Sequence, residues 1–136
     1  MKQDKLGQMT QVTEAVYLAE YRKVQSLLQE EARLRGALTR LNEQADSERK
    51  TLATDMPMQT IGADLLWQAW LVRSRKQLNI ELSQVLAKKT IVMERIRRAF
   101  GRRNAVQSMS DRFCADRETA LRKKQLERLL QSQDGV

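Results

Sequence analysis

Apolar residues recur along the first half of the chain at alternating spacings of three and four, which is the pattern of a coiled-coil helix. From Tyr17 these steps fall on eleven positions, eight of them apolar: Tyr17, Glu20, Val24, Leu27, Glu31, Leu34, Leu38, Leu41, Ala45, Glu48 and Leu52. The three glutamates indicate places where this seam is hydrated or partly open to solvent. Upstream, Met9, Val12 and Val16 lie one residue out of phase, so the pattern drifts near the N-terminus. We predict a first helix over about residues 5–54.

A second apolar pattern runs through the other half of the chain. One position in every seven is apolar: Leu71, Leu78, Val85, Val92, Ala99, Val106, Phe113 and Ala120. A companion column begins with Leu82 and Ile96, but Lys89 interrupts it, and it continues as Arg103, Ser110, Arg117 and Lys124. We predict a second helix over about residues 64–132, with a seam that narrows to one apolar residue per heptad where basic charge accumulates.

The stretch between the two patterns predicts a turn. Pro57 is the only proline, and it removes a backbone donor and biases Met56 away from helical angles. Gly62 adds freedom, and Asp64 can cap a helix that begins at Leu65. The expected tip covers residues 55–63. The predicted fold is therefore all-α, a single domain in which two long helices form an antiparallel coiled-coil hairpin with a longer second helix.

The turn also sets a register. If it centres near residue 59, the numbers of facing residues add up to about 118, because both helices rise equally per residue. Leu38 then faces about Ile80, and Tyr17 faces about Gly101. The N-terminal end of the first helix, near residue 5, faces about Phe113. Residues 114–132 of the second helix therefore overhang by about 28 Å. An isolated helix is marginal in water, so we expect this overhang to fray or to dock into a partner.

The charge of the chain is unevenly placed. Between Lys88 and Arg128 there are 13 Lys or Arg residues and 5 Asp or Glu residues, whereas the remainder holds 12 of each sign. This one region accounts for the whole net charge of +8. A localised excess of this kind indicates an acidic partner.

The composition argues against an enzyme. Histidine is absent, which excludes His-based catalysis, and one cysteine, Cys114, leaves neither an internal disulfide nor a zinc site. The glycine-rich nucleotide-binding motifs are also missing, and Asp111, Asp116 and Glu118 are spaced for a solvated helix surface. We expect no cofactor and no metal. The sequence shows neither a secretory signal nor a run of apolar residues long enough to span a bilayer, so we expect a cytoplasmic protein.

Nucleic acid is the alternative acidic partner. Lys88, Arg95 and Arg102 have a seven-residue spacing and could follow a line of phosphates. Against this interpretation, only Phe100 and Phe113 interrupt the basic region, which leaves little for base stacking. The apolar face of this region is too narrow for a membrane anchor.

Both tryptophans follow the predicted tip. Trp67 and Trp70 are three residues apart, so they lie on one side of the second helix. One interpretation is that they close the end of the hairpin against Leu52 and Met56. The other is that at least one indole is exposed and anchors a partner.

This layout resembles the FliJ family, the small soluble coiled-coil component of flagellar type III export, and the related injectisome stalk proteins. The features that carry the resemblance are a first helix of about fifty residues, a tip entered by "TDM" (Thr54, Asp55, Met56), aromatics soon after it, and a longer basic helix. The segment "RAFGRRNAV", residues 98–106, is similar to the place where the family becomes rich in Lys and Arg.

The resemblance implies a non-enzymatic stalk or adaptor that inserts into the hexameric export ATPase and contacts the membrane export gate, with export chaperones as possible further partners. By analogy, the candidate ATPase-binding residues are Arg102, Arg103, Arg112, Arg117, Arg122, Lys123 and Lys124. The candidate gate-binding residues are Leu41, Ala45, Trp67, Trp70 and Leu71. The alternatives are an unrelated coiled-coil scaffold and a basic protein that binds nucleic acid.

Overall fold

A computed structural model describes the backbone of residues 2–54 and 61–134 and the side chains of residues 2–51 and 62–134. It contains two α-helices, α1 (Lys2–Thr54) and α2 (Ile61–Asp134), of 53 and 74 residues. The predicted all-α hairpin, with two helices packed against each other and a longer second helix, is confirmed. Neither helix, over the residues described, has a stretch apolar enough to cross a bilayer.

The first turn of α2 differs from the expected tip. Helix α2 begins at Ile61, so Gly62 and Asp64 lie inside its first turn rather than before it. Asp64 is therefore not the cap of a helix starting at Leu65. Its carboxylate is placed where the partial positive charge of the helix N-terminus stabilises an anion. Pro57, Met56 and the rest of residues 55–60 lie outside the described residues.

Packing within the chain falls into two units. The central unit comprises Arg22–Glu94, and the terminal unit comprises Met1–Tyr21 together with Arg95–Val136. Each unit contains part of α1 and part of α2.

In the central unit, the predicted seam of α1 is buried. Val24, Leu34, Leu41 and Ala45 are buried, and Leu34 has no exposed surface. Leu27 and Leu38 are half-buried, as is expected of the same stripe. The seam opens at Glu48, which is exposed. Leu52 lies outside the described side chains. Burial of this stripe removes apolar surface from water, which is the main favourable contribution to helix pairing.

In the terminal unit, the seam of α1 continues in phase instead of drifting. Leu6, Thr10, Thr13 and Tyr17 are half-buried at the alternating four- and three-residue steps that the central unit uses. Two of these positions hold threonine, which hides the heptad from a search for apolar residues. Met9, Val12 and Val16 lie on a neighbouring face of α1 and are exposed.

The apolar column of α2 is buried for most of its length. Its buried members are Leu71, Val85, Val92, Ala99 and Val106, with Leu78 and Phe113 half-buried. The companion column is half-buried from Leu82 to Ser110, including Lys89 and Arg103, whereas its last members, Arg117 and Lys124, are exposed. Ala120 is exposed, so the column no longer packs on α1 there. The polar companions thus contribute their side-chain stems to the interface.

Contacts between the helices have the predicted register in each unit. In the central unit, Arg75 donates a 2.9 Å hydrogen bond to Asn42, and their residue numbers add up to 117. In the terminal unit, the rings of Tyr17 and Phe100 lie 5.9 Å apart, which again gives 117. For two other contacting pairs, Glu31 with Lys89 and Tyr17 with Arg103, the residue numbers add up to 120. The estimate of about 118, drawn from equal helical rise, describes both units.

Candidate interaction surfaces

Arg103, one of the candidate ATPase-binding residues, is engaged within the terminal unit. Its guanidinium lies 4.3 Å from the centre of the Tyr17 ring and 5.6 Å from that of Phe100. Its Nε is also 3.5 Å from a carboxylate oxygen of Glu14. These contacts are attractive because a cation is stabilised by the face of an aromatic ring and by a nearby carboxylate. Arg103 therefore helps to join the two helices.

The other basic candidates are exposed. Arg117 donates a hydrogen bond to Gln3 across the helix interface. The remaining five, Arg102, Arg112, Arg122, Lys123 and Lys124, expose their side chains along α2. They lie on several faces of the helix rather than in one row, because α2 turns about 100° per residue. The structure brings Lys123 and Lys124 next to Arg122 through sequence adjacency alone.

Beyond Arg117, the last part of α2 packs on no residue of α1 that the structure describes. Every side chain from Cys114 to Asp134 is exposed, including four leucines: Leu121, Leu126, Leu129 and Leu130. These leucines are 54–63% exposed. These leucines were not predicted, because they do not continue the seven-residue column. Leu129 and Leu130 follow Leu126 by three and four residues, which places these three side chains on one face of α2. This spacing is the signal from which they could have been predicted.

Positive charge is concentrated in α2 before the predicted overhang of residues 114–132. Between Arg95 and Arg112 there are six Lys or Arg residues and one Asp. Between Cys114 and Asp134, by contrast, five Lys or Arg residues accompany four Asp or Glu residues. The exposed end of α2 is thus nearly balanced in charge, and the excess lies beside the helix pair of the terminal unit.

Three of the five candidate gate-binding residues form a core cluster of the central unit. Leu41, Ala45 and Leu71 are 6–9% exposed and pack together, and Trp67 packs against them. A buried side chain contributes to stability and is not directly available to a partner. The structure therefore leaves Trp70, with 43% of its surface exposed, as the accessible member of the set.

The two indoles are stacked on each other. The ring centres of Trp67 and Trp70 are 4.9 Å apart, with an angle of 21° between the ring planes. The Nε1–H of Trp67 is buried, and no group among the described residues accepts a hydrogen bond from it. Trp67 also lines a small cleft with Ala45, Leu71 and Arg75. This arrangement makes Trp67 a packing residue that supports the exposed face of Trp70.

A charged group occupies the seam of the central unit. Glu31 is 9% exposed and accepts hydrogen bonds from Lys89 on α2 (2.9 Å) and from Arg35 on α1 (3.1 Å). The hydrogen bond from Lys89, followed by that from Arg35, lowers the pKa of Glu31 from its ordinary value of 4.5. Glu31 therefore stays ionised within the interface, and its charge is compensated from both helices.

The acidic side chains and the one thiol do not cluster within the described residues. No three of their His, Cys, Asp or Glu side chains are close enough together to hold a metal ion. Cys114 is a free thiol on the exposed part of α2.

Comparison with known proteins gives no counterpart: no protein-family profile, no curated protein sequence and no solved structure matches this chain.

Proposed function

We propose that this protein is a non-enzymatic stalk or adaptor of a bacterial type III export apparatus of the flagellar kind. The observation that carries the proposal is the exposed end of α2 from Cys114 to Asp134, with its four exposed leucines. These leucines lie beyond Arg117, the last residue of α2 with a contact to α1 among the described residues. Leucines at this exposure in such a position are typical of a surface that a partner covers. A helical hairpin with one projecting helix is also the layout that the resemblance to the FliJ family implies.

In this proposal, the projecting end of α2 enters the central cavity of the hexameric export ATPase. Arg122, Lys123 and Lys124 contact carboxylates of that cavity, and the exposed leucines contact its apolar wall. Arg117 is adjacent to Gln3 of α1 and marks where the helix pair ends. Basic side chains at the rim of an interface speed association and set specificity, whereas buried apolar anchors supply most of the affinity.

The proposed second contact is with the membrane export gate. Trp70 is its anchor, because a large indole with 43% exposure, held by stacking on Trp67, loses little side-chain entropy on binding. The protein would therefore work in the cytoplasm, peripheral to the membrane export machinery, without inserting into the bilayer. The further partners that we propose are export chaperones.

Binding to the purified hexameric export ATPase of the same organism tests the proposal. The wild-type chain should bind, and the combined substitution Arg122→Glu, Lys123→Glu, Lys124→Glu should weaken binding by about tenfold or more, since it replaces attraction by repulsion. The matched control is Arg40→Glu, Arg73→Glu, Lys76→Glu in the central unit, which changes the net charge equally at exposed positions. The control should bind nearly as well as the wild type.

Two results would contradict the proposal. If the wild-type chain does not bind the ATPase, the stalk role is wrong and an unrelated scaffold is the better interpretation. If the chain instead shifts a DNA or RNA duplex in a gel, with affinity that falls steeply between two salt concentrations, nucleic acid is the acidic partner.

A further inference from the structure

The part of α1 in the terminal unit carries a second apolar stripe beside its seam. Met9, Val12 and Val16 are 44%, 61% and 43% exposed, and Ala19 continues their alternating three- and four-residue spacing. Lys5, Met9 and Val12 line a shallow depression on this face. A stripe with this spacing is the surface that one helix presents to another in a coiled coil. Helix α1 is therefore patterned for two helical neighbours, of which α2 is one.

Helix α2 has a matching stripe in the same unit. Arg102, Ala105, Met109 and Arg112 follow spacings of three, four and three residues, and all four are exposed, with Met109 at 46%. Each of these residues immediately precedes a seam position of α2, as Met9, Val12 and Val16 immediately precede seam positions of α1. The two stripes thus have the same relation to the interface between the helices.

The two stripes lie on one side of the helix pair. In an antiparallel pair, residues that precede seam positions on one helix are next to those that precede them on the other. The register places Met9 opposite Met109 and Val12 opposite Ala105, since their numbers add up to 118 and 117. The opposite side is already occupied, because Phe100 and Arg103 contact Tyr17 and Glu14 there. We call the open side, formed by Met9, Val12, Val16, Ala105 and Met109, the terminal groove.

The rim of the terminal groove is basic. By the same register, Lys5 lies opposite Arg112 at one end of the groove, and Arg102 lies opposite Val16 at the other end, since their numbers add up to 117 and 118. All three basic side chains are exposed. Arg102 and Arg112 belong to the region of α2 that holds six Lys or Arg residues and one Asp between Arg95 and Arg112. A second copy of this chain would bring the same positive charges to the groove and would be repelled. The occupant must therefore be apolar on one face and acidic at its edges.

We propose that the terminal groove binds an amphipathic α-helix of another protein, with an apolar heptad stripe flanked by Asp or Glu. Its apolar residues would pack between Met9, Val12 and Met109, and its acidic residues would face Lys5, Arg102 and Arg112. The result is a three-helix contact in which coiled-coil packing supplies affinity and charge supplies orientation. This inference does not rest on the export role, because it depends only on the pattern and exposure of the terminal unit.

A synthetic peptide of roughly three heptads, with leucine at its seam positions and glutamate beside them, tests the inference. The full-length chain is titrated into the labelled peptide, and fluorescence anisotropy reports binding. Two comparison peptides carry lysine in place of the glutamates or glutamine in place of the leucines. Only the first peptide should bind, because it alone has leucines for the apolar residues of the groove and glutamates for its basic residues.

Variants of the chain locate the binding site. Val12→Gln and Met109→Gln should each weaken binding of the glutamate peptide by about tenfold, which corresponds to about 1.4 kcal/mol. The matched control is Val72→Gln in the central unit, the same substitution at a valine of nearly equal exposure, 63% against 61%. It should change the affinity by less than about twofold. Circular dichroism confirms that each variant remains helical.

Three results would overturn the inference. The first is equal binding of the lysine-flanked peptide or of the glutamine peptide. The second is equal loss of affinity in Val12→Gln and Val72→Gln, or no loss in either. The third is dimerisation of the free chain that Val12→Gln abolishes, since the occupant would then be a second copy. None of these bears on the ATPase proposal, because the assay contains no export protein and leaves Arg122, Lys123 and Lys124 unchanged.

Discussion

Lys89 donates a 2.9 Å hydrogen bond to Glu31 across the interface between α1 and α2. Each of these residues interrupts the apolar pattern of its own helix, and the register brings the two interruptions together. Glu31 is 9% exposed, and Arg35 also donates to it. A polar pair within a coiled-coil seam penalises other registers, because a slip of one heptad would place each charge against apolar groups. The pair therefore specifies alignment more than it adds stability.

Substitutions at this pair should show how much stability it contributes. Glu31→Gln should lower the thermal midpoint, because the half-buried ammonium of Lys89 loses its carboxylate. The double substitution Glu31→Leu, Lys89→Leu should recover the midpoint or raise it, since it completes the apolar seam. Glu30→Gln is the control, because Glu30 pairs with Arg33 at the surface and should matter little. A Glu31→Gln variant as stable as the wild type would contradict this account.

The same carboxylate predicts an acid dependence of stability. Hydrogen bonds from Lys89 and then Arg35 lower the pKa of Glu31 below 4.5, so the folded chain holds this proton less tightly than the unfolded chain. The stability that ionised Glu31 contributes is present in full above pH 4.5, and it is lost as the pH falls through the pKa of Glu31 in the folded chain. The difference in thermal midpoint between the wild type and Glu31→Gln should be constant from about pH 7 to 5 and should shrink below 4.5. A difference that grows toward low pH would be the opposite result.

The hairpin was predictable because its signals are local and periodic. A single proline between two heptad patterns predicts where the chain reverses, and equal rise per residue then predicts which residues face each other. Individual side-chain contacts are not periodic in this way. Arg103 was predicted to bind a partner, but its long side chain reaches back over Tyr17, and sequence spacing carries no information about that reach. The seam positions Thr10 and Thr13 were missed because they are polar.

The contact between Arg103 and Tyr17 should be sensitive to the shape of the cation. Arg103→Lys keeps the charge near Glu14 but removes the planar group that stacks 4.3 Å from the Tyr17 ring, so it should cost about 0.5–1 kcal/mol. Arg102→Lys, at the exposed neighbouring position, should cost almost nothing. Urea unfolding of both variants measures the difference. Equal stabilities would show that the stacking contributes nothing.

Leu34 should be the most sensitive apolar position of the central unit. It is the only large side chain among the described residues without exposed surface, and truncation would leave a cavity in the seam. Leu34→Ala should destabilise the protein by about 2–5 kcal/mol. Leu28→Ala removes the same atoms from a leucine that is 44% exposed and should cost much less. Thermal unfolding followed by circular dichroism compares the two, and similar midpoints would mean that the seam repacks.

The two tryptophans should respond differently to truncation, although their rings are stacked 4.9 Å apart. Trp67→Ala should lower stability by about 2–3 kcal/mol, because Trp67 packs against the cluster of Leu41, Ala45 and Leu71. Trp70→Ala removes a ring that is 43% exposed and should cost less than about 1 kcal/mol. Thermal unfolding of the two variants measures this difference.

Binding to the cytoplasmic domain of the export-gate protein should show the reverse order when each variant is assayed below its own unfolding midpoint. Trp70→Ala should weaken binding by about tenfold, since an exposed indole held by a rigid neighbour is the expected anchor. Trp67→Ala should bind less tightly than the wild type only to the extent that Trp70 loses its support. The conservative variant Trp70→Phe keeps a ring at the surface and should recover part of the affinity. If Trp70→Ala destabilises the chain as much as Trp67→Ala and leaves gate binding unchanged, both indoles serve only to close the helix pair.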